Sequence, residues 1–162
     1  MSQEKSKLFH WARTRLSLVL GFLMLTFGLL KVVNPTIDGW FHAQIQQSHL
    51  PHSAILMGKL GEILTGVLFL VPRLRRWPGR WESGILLLAC SSLFVEMLVA
   101  VYVHLQPEVP AEVLPLGIKL PVIPLFVVLL DVIVGVAAWK DSQVTHQDSA
   151  LDSIVASNSL VR

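Results

Sequence analysis

Residues Ser53 to Pro72 run SAILMGKLGEILTGVLFLVP, and the fold turns on this stretch. As an α-helix it rises about 30 Å, enough to cross the hydrocarbon core of a bilayer. Nearly every side chain is Leu, Ile, Val, Phe, Met or Gly, yet Lys59 and Glu62 sit near its middle. At the centre of a membrane helix a charge costs about 2.5 to 3.5 kcal/mol, whereas each large apolar residue offsets only about 0.3 to 0.6 kcal/mol. Such a helix is marginal alone and needs partners. Gly58, Glu62 and Gly66 are spaced i, i+4, i+8, with Lys59 and Thr65 three residues to either side of Glu62, so one face gathers the small and polar groups. Glycines on that face allow another backbone to come close. The face therefore points into a bundle.

Three more runs are long enough to span: Leu16 to Val33, Gly84 to His104 and about Leu120 to Trp139, which with Ser53 to Val71 make four. The expected fold class is all-α, a four-transmembrane-helix bundle occupying residues 1–139, followed by a mobile polar tail over 140–162. Composition agrees, since 53% of the 162 residues are hydrophobic and 15% charged, against about 25% charged in an ordinary soluble domain. Lys5, Lys7, Arg13 and Arg15 precede the first span, Arg73, Arg75, Arg76 and Arg80 fill the second connection, and Lys140 and Arg162 follow the last. The first connection has no Lys or Arg and the third only Lys119, so both termini are expected in the cytoplasm, with the chain in the inner membrane of a cell. Trp11, Trp77, Trp81 and Trp139 fall at that same interface as an aromatic belt.

The two outer connections differ. Thr36 to Leu50 places Ile37, Trp40, Phe41 and Ile45 at helical spacing, the pattern of a short helix lying in the interface. Gln106 to Pro124 carries five prolines and is too apolar for a free loop, so it is expected to fold over the outer mouth of the bundle. The basic N-terminus and first apolar run imitate a secretory signal. Lys31, Asn34 and Pro35 follow that run with no small-residue cleavage site, so it reads as a retained anchor.

Several function classes fall away. A single cysteine, Cys90, excludes an intramolecular disulfide, a dithiol redox pair or a thiolate metal cage, and reads as a helix-packing residue. His42, His49 and His52 fit no metal-ligand spacing. Nucleotide-binding glycine loops, a nucleophile elbow and H-E-x-x-H are missing from the sequence, and the clustered basic residues fit lipid headgroups rather than nucleic acid.

What the spans do carry is charge: Lys31 on the first, Lys59 and Glu62 on the second, Glu96 and His104 on the third, Asp131 on the fourth. By helical rise Glu62 lies about 13 Å and Glu96 about 12 Å in from the outer ends of their helices, with Asp131 somewhat deeper. Lys31, Lys59, Glu62, Glu96 and Asp131 are therefore expected to form one buried network, three acids against two bases, with Gly58 and Gly66 packing beside it. Such a network either binds a ligand, a quinone head group or protons, or it fixes helix register. His104, at the membrane edge, suits a structural hydrogen bond.

The order of these pieces resembles the DoxX family of small membrane proteins. The pieces are Arg15 before the first span, FGLLK with Gly28 and Lys31, GKLGEILTGVLFLVP with Glu62 and Gly66, the basic turn, and YVHLQPEVPAEVLPLGIKLPVIPLFVVLL. The resemblance covers about residues 13 to 139 and implies a four-helix integral membrane bundle. It implies a role such as a subunit of a thiosulfate:quinone oxidoreductase or a partner in membrane redox complexes; distant eukaryotic relatives act as assembly chaperones for receptors. It carries Lys31 and Glu62, and next Arg15, as family residues. The expected function is an accessory subunit of a quinone-linked system, any quinone being met through a redox partner. The alternatives are an assembly factor for client membrane proteins and a small-solute or proton transporter working as a homo-oligomer.

Overall fold

A computed structural model describes the backbone of residues 2–74 and 79–159 and the side chains of residues 13–74 and 81–143. The side chains of Lys5, Lys7, Trp11, Arg75, Arg76, Trp77, Arg80 and Arg162, assigned to one interface by the sequence, lie outside the described residues. All described elements are helical: α1 (Ser2–Val33), α2 (Pro35–Gln47), α3 (Ser53–Leu74), α4 (Gly79–Leu105) and α5 (Val122–Ser159), with two single-turn 3-10 helices, Ala111–Val113 and Pro115–Gly117.

Local chemistry sets the breaks. Pro35 forces Asn34 out of helical geometry (φ −110°, ψ 108°), and the freed Asn34 side chain caps α2 by accepting from the Thr36 and Ile37 amides at 3.0 and 3.3 Å. α2 ends where His49 takes a positive φ of 55° and the Leu50 amide reaches back to the Ile45 carbonyl at 3.2 Å. The following Pro51 starts the turn into α3. No glycine or proline follows Gly135, so α5 runs on as helix to Ser159, through the segment expected as a tail. Likewise α1 begins at Ser2, well before Leu16.

Arg13–Val33, Ser53–Leu74, Trp81–Leu105 and Val122–Gln143 are long and apolar enough to cross a membrane. They pack as a ring, α1 on α3, α3 on α4, α4 on α5 and α5 back on α1, around Leu20, Met24, Phe69, Leu86, Leu93 and Val134. Phe22, Leu56, Met57, Leu64, Leu88, Val95, Leu125 and Phe126 lie on the outside, all exposed. In water a shell of this kind would aggregate; in hydrocarbon it matches its solvent. The chain is thus an integral, multi-pass membrane protein, with one end of the bundle bearing both termini and the other bearing α2 and the segment 106–121.

At that second end α2 seats Phe41 and Ile45 against Ile55 of α3. The proline-rich segment buries Val109 and Leu114 against Val103, accepts a hydrogen bond from the Gln44 side chain at Val113, and is tied by Lys119 donating to the Gln106 and Val109 carbonyls. Lys119, the one basic residue of this connection, is thus spent on loop carbonyls.

Candidate functional site

Close approach of α1 and α3 builds the centre of the site. A side chain on Gly66 would come within 2.6 Å of the Leu25 amide nitrogen, and one on Gly28 within 2.9 Å of the Ile63 nitrogen. With the two backbones this near, the Lys31 ammonium of α1 reaches the Glu62 carboxylate of α3, both side chains 14% exposed, to form a salt bridge. The same ammonium lies 4.1 Å from the centroid of the Phe41 ring, a cation–π contact supplied by α2. The ring in turn packs its edge on Gly58. Gly58 and Gly66 thus serve different neighbours: α2 covers the first, α1 the second.

Glu96 of α4 enters from the other side. Its Oε1 accepts from Thr65 of α3 at 2.7 Å and from Ser92, one turn away, at 3.3 Å, and the Thr65 and Ser92 hydroxyls are themselves 2.7 Å apart. Glu96 can lie this close to α3 because residue 61 is glycine; a side chain there would meet the carboxylate at 3.0 Å. Glu96 lies within electrostatic reach of both Glu62 and Lys31. Glu62 and Glu96 each keep a second oxygen, Oε2, buried without a partner. Two carboxylates on neighbouring helices thus lie at the same depth, each roughly 13 Å in from the α2 end, and the one ammonium near them pairs with Glu62. Buried carboxylate oxygens need protons or donors, so each free Oε2 is a place where a proton can be held.

The structure divides the network expected from sequence. Lys59 does not join it: its ammonium pairs with Asp38 of α2, whose Oδ1 also lies 3.1 Å from His42 Nδ1. Lys59 starts about one turn nearer the α2 end than Glu62, so its long side chain runs out to the interface instead of inward. Asp131 is separated as well. It is 2% exposed and lies between α4 and α5 beside Cys90, whose Sγ is 3.8 Å from the Asp131 main-chain oxygen. Cys90 precedes Glu96 by six positions on α4, placing Asp131 roughly 9 Å further toward the end with the termini. His104 is buried and its Nδ1 lies 2.8 Å from the Ala100 carbonyl, the structural hydrogen bond expected of it, with Nε2 left unpartnered. The described cluster is Lys31, Glu62 and Glu96, with Thr65, Ser92 and Phe41.

Lys59 donates a hydrogen bond to Asp38 and adds its charge, holding that carboxyl below its ordinary value of 3.8, with His42 adding to the effect. A depressed native value means the contribution is complete above pH 3.8 and is lost as pH falls through the lower native value. Amide exchange over Pro35–Gln47, corrected for its intrinsic pH dependence, should therefore rise as pH falls below 3.8 while α1 and α4 stay protected. Asp38→Asn should show the faster exchange already at neutral pH. Equal protection of α2 in both proteins at every pH would sink this assignment.

At the other end lies a group that the sequence disguised. Arg13 of α1, only 6% exposed, bonds Glu82 of α4 at 2.9 Å and Asp141 of α5 at 2.5 Å, and Arg73 of α3 reaches the same Glu82 oxygen at 3.2 Å. All four spanning helices are tied there by two arginines and two acids. Arg73 reads in the sequence as a headgroup contact, yet it turns inward to Glu82; Arg15, Trp81 and Trp139 do face outward. The signal was Glu82, an acid set among arginines in the basic connection. Asp38 gave a similar one, as the acid of a connection without Lys or Arg.

Fold and site together define a class: a helical membrane bundle with an acid and base cluster inside its apolar interior. No protein-family model, curated protein or solved structure matches the chain.

Proposed function

We propose that the chain is a DoxX-like accessory subunit of a quinone-linked redox system in the inner membrane, with both termini cytoplasmic, and that Lys31, Glu62 and Glu96 handle the protons of that chemistry. The observation that carries the reading is a buried Lys31–Glu62 ion pair with a second buried carboxylate, Glu96, beside it, each acid keeping an unpartnered oxygen. Oxidation of a quinol releases two electrons and two protons. The protons pass to carboxylates that can accept them inside the hydrocarbon layer, and the electrons pass to a redox partner, because the sequence carries no dithiol or nucleotide motif to receive them. The distribution of Lys and Arg supports the orientation. A reading as a scaffold gains nothing from Gly58 and Gly66, since Phe41 and α1 fill both positions from within the chain.

Replacing the native copy by Glu62→Gln or Glu96→Gln should lower quinone-coupled respiration in membrane vesicles several-fold per molecule of the protein in the membrane. Lys59→Met, which breaks a pair outside the cluster, should leave the rate at the native level. Native rates in both glutamine variants, at native protein levels, would overturn the proposal.

A further inference from the structure

Asp131 stands apart from the proton-handling cluster and has an environment of its own. It lines a groove of about 460 Å³ at the seam of α4 and α5, together with Phe94, Val95, Val132 and Val136. Those four walls are 42 to 60% exposed and face the surroundings of the bundle, which here are lipid. Asp131 itself is 98% buried by its 2% exposure, and its Oδ1 has no partner. The ionisable side chain acting on it is the Cys90 thiol, a weak donor; no lysine, arginine or histidine among the described residues reaches it.

An acid in this position is not explained by packing. Lipid tails fill an apolar groove but offer nothing to a carboxylate, and leaving a buried carboxylate without a counter-charge is costly. The complementary occupant has an apolar body that matches the valine and phenylalanine walls and a positive centre that meets the acid. Phe94 strengthens the match, because an aromatic face attracts a cation once water is excluded. From this juxtaposition of an open, apolar, lipid-facing groove and an uncompensated acid on its lining, we infer that α4 and α5 form a binding site for a lipophilic organic cation, a hydrophobic ammonium or phosphonium compound entering sideways from the membrane. The site is independent of the redox reading, since neither Lys31, Glu62 nor Glu96 belongs to it.

The test uses the full chain in detergent with tetraphenylphosphonium as probe, measured by equilibrium dialysis. Wild-type protein should bind it saturably, with Asp131→Asn weakened on the order of tenfold or more. Val136→Trp keeps the acid but fills the groove and should weaken binding similarly, which decides the matter should Asp131→Asn fail to fold. Tetraphenylborate, of the same shape and opposite charge, should not compete. Absence of saturable binding to the wild type, binding by both variants as tight as that of the wild type, or equal competition by the anion would overturn the inference, the last by showing that the groove reads only hydrophobicity.

Discussion

Gly66→Leu is expected to abolish assembly of the bundle, and even Gly66→Ala should destabilise it by about 2 kcal/mol or more. The reason is what a new Cβ would strike. Its nearest atoms are the Leu25 nitrogen at 2.6 Å, the Gly21 carbonyl oxygen at 2.9 Å and the Leu25 Cα at 2.9 Å, all of them main chain, so no side chain can swing aside. α1 and α3 must part along the contact that brings Lys31 to Glu62. Gly39 supplies the control: it lies in α2 with nothing within 4 Å of its would-be Cβ, and Gly39→Ala should be neutral or gain up to about 1 kcal/mol from helix propensity. Thermal unfolding in detergent and elution volume read both effects. A Gly66→Leu protein that elutes and melts as the wild type would mean that the two helices do not touch there.

That sensitivity follows from the solvent. Lipid tails are as apolar as leucine, so helices in a bilayer are held by close packing and by polar contacts rather than by exclusion from water. The chain uses both, at different levels. Glycines draw α1 and α3 together through the middle, and the Arg13, Glu82, Asp141 and Arg73 group ties all four spans at the end with the termini. The candidate site lies next to the glycine contact, on its α2 side, where α1 and α3 are already held together.

The four spans could be read from sequence because hydrocarbon imposes one solution on twenty apolar residues, and the inward face of α3 could be read because small and polar residues repeat there every four positions. Depth was legible too, since helical rise is constant; Glu62 and Glu96 were placed level and prove to be neighbours of one lysine. What sequence could not supply was azimuth across different helices. Asp131 is at a plausible depth but faces the α4–α5 seam, and Lys59 is flexible enough to leave the bundle for Asp38. Pairings such as Arg13 with Glu82 join residues 69 positions apart, and only packing brings such residues together. Phe41 was assigned to an interfacial helix on periodicity alone, and its role beneath the Lys31 ammonium depends on how α2 folds back.

Lys31→Met should be the most damaging change that leaves the backbone contacts intact. It strands the Glu62 carboxylate, already with one buried oxygen unpartnered, beside Glu96. Removing one member of a buried ion pair typically costs about 3 to 5 kcal/mol, because the survivor keeps its desolvation penalty and loses its partner. The methionine restores part of the contact with Phe41 through its sulfur, so the loss isolates the charge rather than the packing. Adding Glu62→Met to Lys31→Met should then recover most of the stability or exceed the wild type, since an apolar pair of similar volume needs no compensation. The cycle separates two reasons for keeping the cluster. If Lys31 and Glu62 serve to hold register, the doubly substituted protein will melt lower or form mixed oligomers. If they serve chemistry, it will be stable and uniform yet as deficient in quinone-coupled respiration as Glu62→Gln. A double variant that is stable, uniform and fully active would remove the ion pair from both roles and end the case for it as the functional centre.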